Sequence, residues 1–302
     1  MILVTGASGF IGKHVCLALA AHNHKIVAVD RDMAGDLTCE CVQGDLSQSD
    51  FLLQLFQAYS FDKIVHLASL LNTMSRKWPL EAMRVNVGSS LGLLKLAVEH
   101  PGTRFIYGSS ISVYGSKRYQ QYGEVTELEP ASPEDVYGVS KRYVEIAGAD
   151  YHHRKVLQFA ALRIATVIGA GAAKTSSRWR SEIFEALAPG HPTEIHIPYQ
   201  AGELVPLIHV EEVARVIRTL VEADRMAYTL YNTPCETWSC SDLGGQVTSL
   251  NKDIKVAYGQ SEVTGIPQVI NGNRFIEEFG YRPVPLKERF TAALMDSKGH
   301  VD

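Results

Sequence analysis

One eight-residue stretch constrains this chain more than any other: Thr5-Gly6-Ala7-Ser8-Gly9-Phe10-Ile11-Gly12, set directly behind the apolar run Met1-Ile2-Leu3-Val4. The order reads as a strand, a glycine-rich turn and the start of a helix. Gly6 permits the tight turn. Gly9 removes a Cβ that would hold an anion away from the backbone, and Gly12 lets the helix lie close to the strand. Backbone N–H groups at a helix start point outward, and the helix dipole favours negative charge there. The unit is suited to holding a pyrophosphate.

The next residues agree with this. Lys13 to Ala20 place Val15 and Leu19 on one apolar face at helical spacing. A second apolar run, Ile26-Val27-Ala28-Val29, ends in Asp30. That acid lies roughly 20 residues beyond the glycines, where a dinucleotide-binding unit places the carboxylate that meets the adenosine ribose hydroxyls. A carboxylate there repels a 2′-phosphate, so NAD is expected in preference to NADP. The neighbouring Arg31 pulls the other way, because an arginine at this place can accept that phosphate.

Further strands are expected at Lys63–Leu67, Arg104–Tyr107 and Leu157–Ile164, and helices at Asp50–Tyr59, Leu80–Glu99 and Asp135–His152. Alternating strands and helices imply a parallel sheet wound on both faces. The fold class is thus α/β: a Rossmann-like doubly wound parallel sheet with a smaller, discontinuous C-terminal substrate region. After about residue 165 the regularity breaks. The stretch 169–177 is small and polar and is expected to be mobile, and Pro189, Pro192 and Pro198 punctuate the segment after it. A helix returns at Val210–Glu222, with Val213, Val216, Ile217 and Leu220 on one face, and a strand at Leu230-Tyr231-Asn232. The nucleotide-binding domain is expected to take residues 1–165 plus about 205–232. The substrate-binding region takes about 166–204 and 233–302.

Composition narrows the partners. The chain has 302 residues, 46% of them hydrophobic, with a formal charge of −4 and no basic run. Nucleic acid and anionic membranes are therefore not expected partners, and no apolar stretch approaches a membrane span. No leader is expected, since the first strand begins at the first residues. The five cysteines, Cys16, Cys39, Cys41, Cys235 and Cys240, form an odd set without a CxxC pair. They read as buried thiols rather than metal ligands, in a reducing, cytoplasmic compartment.

Tyr137-Gly138-Val139-Ser140-Lys141 places a tyrosine and a lysine at i and i+4, on one face of a helix that Ser132-Pro133 is expected to start. An ammonium beside a phenol stabilises the phenolate and lowers its pKa. Such a phenolate can take the proton from a substrate hydroxyl while hydride leaves the same carbon. Upstream, Ser109-Ser110-Ile111-Ser112 come just after a strand, at the carboxyl edge of a parallel sheet where ligands bind.

The chain resembles the extended short-chain dehydrogenase/reductase superfamily, in its NAD-dependent epimerase/dehydratase branch. Thr5 to Gly12 match TGxxGxxG, Asp45-Leu46 the Asp-Leu pair beside the adenine, and His66-Leu67-Ala68-Ser69 the HxA stretch near the pyrophosphate. Asn86-Val87 match the NV pair, Ser109 to Gly115 match SSxxVYG, and Tyr137 and Lys141 match YxxxK. Ile208 to Ala214 and Phe279 to Pro283 echo later landmarks of the family. The resemblance implies Tyr137 as acid/base, Lys141 as the residue that binds the nicotinamide ribose and tunes Tyr137, and Ser110 as the group that orients the reacting oxygen. It also implies that Gly6, Gly9, Phe10, Ile11, Gly12, Asp30, Arg31, Asp45, Leu46, Leu67, Ala68, Ser69 and Asn86 contact the cofactor. No metal is implied. A homodimer through the helices Leu80–Glu99 and Asp135–His152 is a further expectation.

Three departures bear on the substrate. Thr166 stands where sugar-nucleotide epimerases usually carry an asparagine. Leu204 to Val210 lack the arginine that grips a substrate diphosphate, although Arg178 and Arg180 are available nearby as substitutes or as a solvated face. Ile111 and Ser112 replace the Asp-Glu pair of dehydratases. The leading expectation is hydride transfer at a secondary alcohol of a sugar or sugar-nucleotide, as in an epimerase. The alternative is net oxidation of a small polyol, uronate or hydroxy acid. A non-catalytic NAD-binding regulator would dispense with Tyr137 and Lys141, and both are present. Tyr114, Met74 and Trp78 read either as substrate contacts or as packing, His209 as structural, and His152-His153 as solvated.

Overall fold

A computed structural model describes residues 1–33, 37–116, 123–172, 177–188 and 190–298. Its first half alternates strands and helices: β1 (Ile2–Thr5), α1 (Phe10–Ala20), β2 (Ile26–Asp30), β3 (Glu40–Gln43), α2 (Ser49–Ala58) and β4 (Lys63–His66). Next come α3 (Asn72–Lys77), α4 (Pro79–Ala82), α5 (Ser89–Val98), β5 (Arg104–Ser110), α6 (Val136–His153) and β6 (Gln158–Ile164). The second half holds β7 (Thr166–Ile168), α7 (Trp179–Glu185), β8 (Glu194–Tyr199), β9 (Leu204–His209), α8 (Val210–Glu222) and β10 (Leu230–Asn232). It ends with β11 (Glu236–Ser239), α9 (Cys240–Leu250), β12 (Lys255–Ser261), α10 (Asn273–Phe279) and α11 (Leu286–Lys298).

Seven parallel strands form one sheet in the order β10-β6-β5-β4-β1-β2-β3. The order reverses between β1 and β4, and in such sheets the crevice beyond the strand ends at that point receives the ligand. The pleat decides which residues enter which core. Ile2 and Val4 pack on one face with Val15 and Leu19 of α1 and Val213, Ile217 and Leu220 of α8. Leu3 faces the other way, toward Leu52 and Leu55 of α2, Leu93 and Leu94 of α5 and Val144 of α6. A third core joins Ile168, Trp179, Ile183, Phe184, Leu243 and Phe290 around a smaller sheet, β11-β9-β7.

Several expectations are refined. The helix expected over Leu80–Glu99 contains a π-helical turn, Met83–Gly88, between α4 and α5. Helix α6 starts later than Ser132-Pro133 suggest, because Asp135 caps it by accepting from Gly138 N at 2.8 Å. Of the stretch Leu207–Tyr231, α8 and β10 join the large sheet's layers, whereas β9 pairs with β7 and β11. Alternation explains it: Ile208 enters the core under α8, while Val205 and Leu207 face the third core. The expectation of buried thiols fails for Cys41, which is exposed because β3 is the edge strand. Cys39 and Cys235 are half-buried, and only Cys16 and Cys240 are buried. The residues 173–176 of the expected mobile stretch, and Pro189, lie outside the described residues. No helix among the described residues is long and apolar enough to cross a membrane, and none of their acidic, histidine or cysteine side chains cluster as a metal site.

Candidate active site

A cavity of about 660 Å³ opens along the carboxyl edge of the large sheet. One end is the glycine turn. Gly6 has φ +68°, and a Cβ there would lie 2.7 Å from Ala68 N; one on Gly12 would lie 2.0 Å from Gly6 O. Both glycines are thus required by the fold itself. Gly9 is the N-cap of α1, and no side chain caps that helix. Phe10 and Ile11 of its first turn line the cavity, so their N–H groups are placed to receive an anion.

The strand ends beside this turn are tied by buried hydrogen bonds. Thr5 Oγ1 accepts from Leu67 N at 3.3 Å and from Ala68 N at 3.4 Å, and lies 2.6 Å from His66 Nδ1. Ser90 donates to Asn86 O at 2.6 Å and lies 2.8 Å from His66 Nε2. The bonding pattern assigns the tautomer: Thr5 O–H donates to Nδ1, and Nε2–H donates to Ser90 Oγ. Burial and the nearby Lys141 push the imidazole pKa down to about 3, so His66 is a neutral brace. Asn86 belongs to this brace. Its amide is spent on Leu70 N, Leu70 O and Ser140 Oγ, and it does not line the cavity, so the expected cofactor contact is corrected to a support for residues 67–70.

The other residues expected to touch a cofactor all line the cavity: Gly6, Gly9, Phe10, Ile11, Gly12, Asp30, Arg31, Asp45, Leu46, Leu67, Ala68 and Ser69. The Asp30 carboxylate accepts from Ser8 N at 3.0 Å and from Asp32 N at 3.3 Å, which fixes it beside the turn. Arg31 is 62% exposed and pairs with Asp32 at 3.5 Å.

At the far end the cavity is lined by Ser110, Tyr137 and Lys141. Tyr137 and Lys141 stand one turn apart on α6, and Lys141 Nζ lies 5.5 Å from the Tyr137 ring centre and donates to Gly108 O at 2.7 Å. Ser110 ends β5, where Ser112 N donates to its Oγ at 3.2 Å. Burial, the largest influence, pushes the Tyr137 phenol up to about 12, against the hydrogen bonds of Ser110 and Ser69. Burial likewise pulls the Lys141 ammonium down to about 7, opposed by Glu145. The phenol thus stands above its ordinary value rather than below it as expected, because desolvation outweighs the two serine hydrogen bonds.

Beneath these groups lies a buried cluster that the motifs alone do not single out. Glu145 continues the stripe Tyr137–Lys141 by another turn. It accepts from Arg163 at 2.9 and 2.7 Å, from Ser109 Oγ at 2.6 Å and from Arg142 at 3.0 Å. The i, i+4, i+8 spacing was the available signal. Arg163 stacks 4.4 Å from the Tyr114 ring, and Tyr114 is fully buried with its hydroxyl on Asn232 Oδ1, so Tyr114 packs rather than meeting substrate. Met74 and Trp78 are exposed and do not line the cavity. His209 caps α8 and is structural in its contacts, while His152 is half-buried and accepts from Phe159 N.

The two spare arginines part company. Arg178 is 66% exposed and pairs with Glu182 at 2.8 Å. Arg180 points inward and lines the cavity, together with Thr166 and Tyr199.

Residues 2–232 match the family described as NAD dependent epimerase/dehydratase. A UDP-glucose 4-epimerase from Halalkalibacterium halodurans is 29% identical over 176 residues, which are 56% of this chain and 51% of that protein. The chain spans about half or less of the length of the curated relatives it matches. Among solved structures, an L-threonine dehydrogenase from Phytophthora infestans superposes with a TM-score of 0.89 at 21% identity, covering 99% of both chains. The MoeE5 protein in complex with UDP-glucuronic acid and NAD gives 0.83 at 24% identity, again over 99% of both.

Proposed function

This chain belongs to the NAD-dependent epimerase/dehydratase family, and from that footing we propose that it oxidises a secondary alcohol of a sugar-like substrate at the Ser110–Tyr137–Lys141 end of its cavity. NAD fits the residues present. The cradle between Gly6 and Ala68 admits no side chain, and the start of α1 is left uncapped. Asp30 stands at the ribose position, and Arg31 is turned to Asp32, which supports NAD over NADP. When bound, NAD supplies the hydride acceptor. Asp45, held below the usual carboxylate range by Ser47 and Arg84 against the effect of burial, suits the adenine end.

The single observation that carries this reading is that Tyr137, Lys141 and Ser110 share one cavity with the glycine turn. Ser110 Oγ donates to or accepts from the substrate oxygen and fixes it toward the phenol. Tyr137, as phenolate, takes the hydroxyl proton. Lys141 stabilises that phenolate. In an epimerase the ketone is then reduced on its other face, and in a net dehydrogenase it leaves. Net oxidation of a smaller substrate is favoured by β9, which carries no arginine for a diphosphate.

The test is a substrate series monitored both for NADH and for product stereochemistry. Tyr137→Phe is expected to lower turnover on the order of 10²–10⁴-fold while NAD still binds. Full turnover in that variant would refute the assignment. Accumulating NADH identifies net oxidation, and inversion without NADH identifies epimerisation.

We further infer a homodimer. Val139, Tyr143 and Ile146 form an exposed apolar stripe on α6, and Leu80 and Met83 stand exposed beside it at 87% and 38%. A domain division at residues 1–165 plus about 205–232 accords with the first two cores except at β9, whose Val205 and Leu207 join the third, and at Phe275 and Tyr281, which join the first; the five free cysteines accord with a cytoplasmic setting.

A further inference from the structure

We propose that Arg180 is an anchor for a carboxylate on the substrate, so that the molecule presented to Tyr137 is a small hydroxy acid or uronate rather than a nucleotide-linked sugar. The proposal rests on the reading of Tyr137 given above and adds the substrate's charge.

Arg180 is aimed by its backbone. Gly169 N donates to Arg180 O at 3.1 Å, and Ser181 Oγ donates to Gly169 O at 2.8 Å while accepting from Ala172 N at 2.7 Å. These bonds stitch the first turn of α7 to the turn after β7. They leave Arg178 facing solvent and Arg180 facing the cavity. Inside, Arg180 lies against the Trp179 ring at 5.8 Å, with the Tyr199 hydroxyl beside it.

Among the described residues the guanidinium has no counter-charge. No carboxylate among the described residues lies within ion-pair distance of it, and its Nε is shut off from solvent without a hydrogen-bond partner. Among the described residues, the other arginines that line this cavity are matched: Arg31 by Asp32, and Arg76 by Asp135 at 3.7 Å. Burying a cation without a partner is unfavourable, and the arrangement makes sense when a ligand brings the anion. The number of charges selects the ligand. Among the described residues, one guanidinium without a carboxylate partner offers a planar fork suited to one carboxylate. A diphosphate needs more, yet β9 has no arginine, and the roof of the cavity, Val263-Thr264-Gly265-Ile266, has no charged side chain. Tyr199 and Thr166 supply hydroxyls at the same end.

The experiment compares matched acids and esters on the NAD-loaded protein: glucuronate with its methyl ester, and 3-hydroxybutyrate with its methyl ester, with UDP-glucose as a third arm. Turnover is measured together with calorimetric binding to the NADH-loaded protein. The wild type should prefer the acid of at least one pair, and Arg180→Gln should weaken acid binding about 30- to 1,000-fold while leaving the ester unchanged. Arg180→Lys should restore part of the preference. Equal losses for acid and ester would make Arg180 merely structural and overturn the proposal. So would wild-type protein that binds acid and ester alike, a result that does not depend on the variant folding. UDP-glucose bound more tightly than any acid, and weakened by Arg180→Gln, would overturn it in favour of a diphosphate. Failure of this inference alone leaves Tyr137→Phe inactive on whichever substrate is turned over; failure of the underlying reading leaves Tyr137→Phe active.

Discussion

Tyr137 and Lys141 show how burial at single residues sets the working pH. The phenol is pushed up to about 12 and the ammonium down to about 7 in the same enclosed space. Oxidation needs the phenolate, and a raised phenol pKa means that little phenolate exists near neutrality. The rate kcat/KM for oxidation should therefore climb with pH, tenfold per unit where this ionisation limits it. Lys141 carries its positive charge only near and below about pH 7, so Lys141→Met should lower the rate by about tenfold or more at and below neutrality and little above it. A profile recorded over about pH 6 to 10 that is unmoved in Lys141→Met would contradict the tuning role. Glu145 is a second residue-scale case. It neutralises Arg163, which is 1% exposed. Glu145→Gln should strand that charge at about 3–5 kcal/mol, and thermal unfolding should fall on the order of 10 °C. A shift within about 2 °C would show that the pair contributes little.

Helix α6 carries two functions on two faces. Tyr137, Lys141 and Glu145 project inward at i, i+4 and i+8, while Val139, Tyr143 and Ile146 project outward at i, i+4 and i+7. Tyr137 and Lys141 were legible on the inner face because the chemistry needs that spacing, whereas Glu145 was not. The outer face exposes three apolar side chains together, which is unusual for a solvated helix. Val139→Glu with Ile146→Glu should convert a dimer to a monomer in light scattering, with NAD affinity retained. A monomeric wild type would remove the basis for the stripe's assignment. The π-helical turn Met83–Gly88 is another element that periodicity did not disclose. It turns the Asn86 amide onto Leu70 and Ser140, and a continuous α-helical pattern in the sequence gave no sign of it.

At the scale of the whole molecule, the cofactor should act as a fastener. The turn between β1 and α1, the ends of β2 and β4 and the start of α6 all line one cavity, so a dinucleotide in it would touch separate layers at once. NAD at about 100 times its Kd should stabilise the fold by about 2.7 kcal/mol, raising the unfolding midpoint on the order of 5–10 °C. NADP at the same concentration should raise it far less, since Asp30 is fixed beside the turn and Arg31 is engaged by Asp32. An equal rise with NADP would refute the role given to Asp30.

Local spacing in the chain was enough to specify one part of this protein. Glycines at 6, 9 and 12, an acid at 30, and a tyrosine and lysine four apart specify a strand–turn–helix and one face of a helix, because those periods are fixed by the backbone. Most strands and helices of the first half came from the same periodicity. The rest came from the folded chain, since it turns on which side chains meet across distant segments. It set Asn86 as a brace and Tyr114 as packing. It sent β9 to the smaller sheet, where the pleat divides its residues between two cores. It also separated Arg178 from Arg180: two residues apart in sequence, they face opposite ways, and only the inward one lacks a counter-charge.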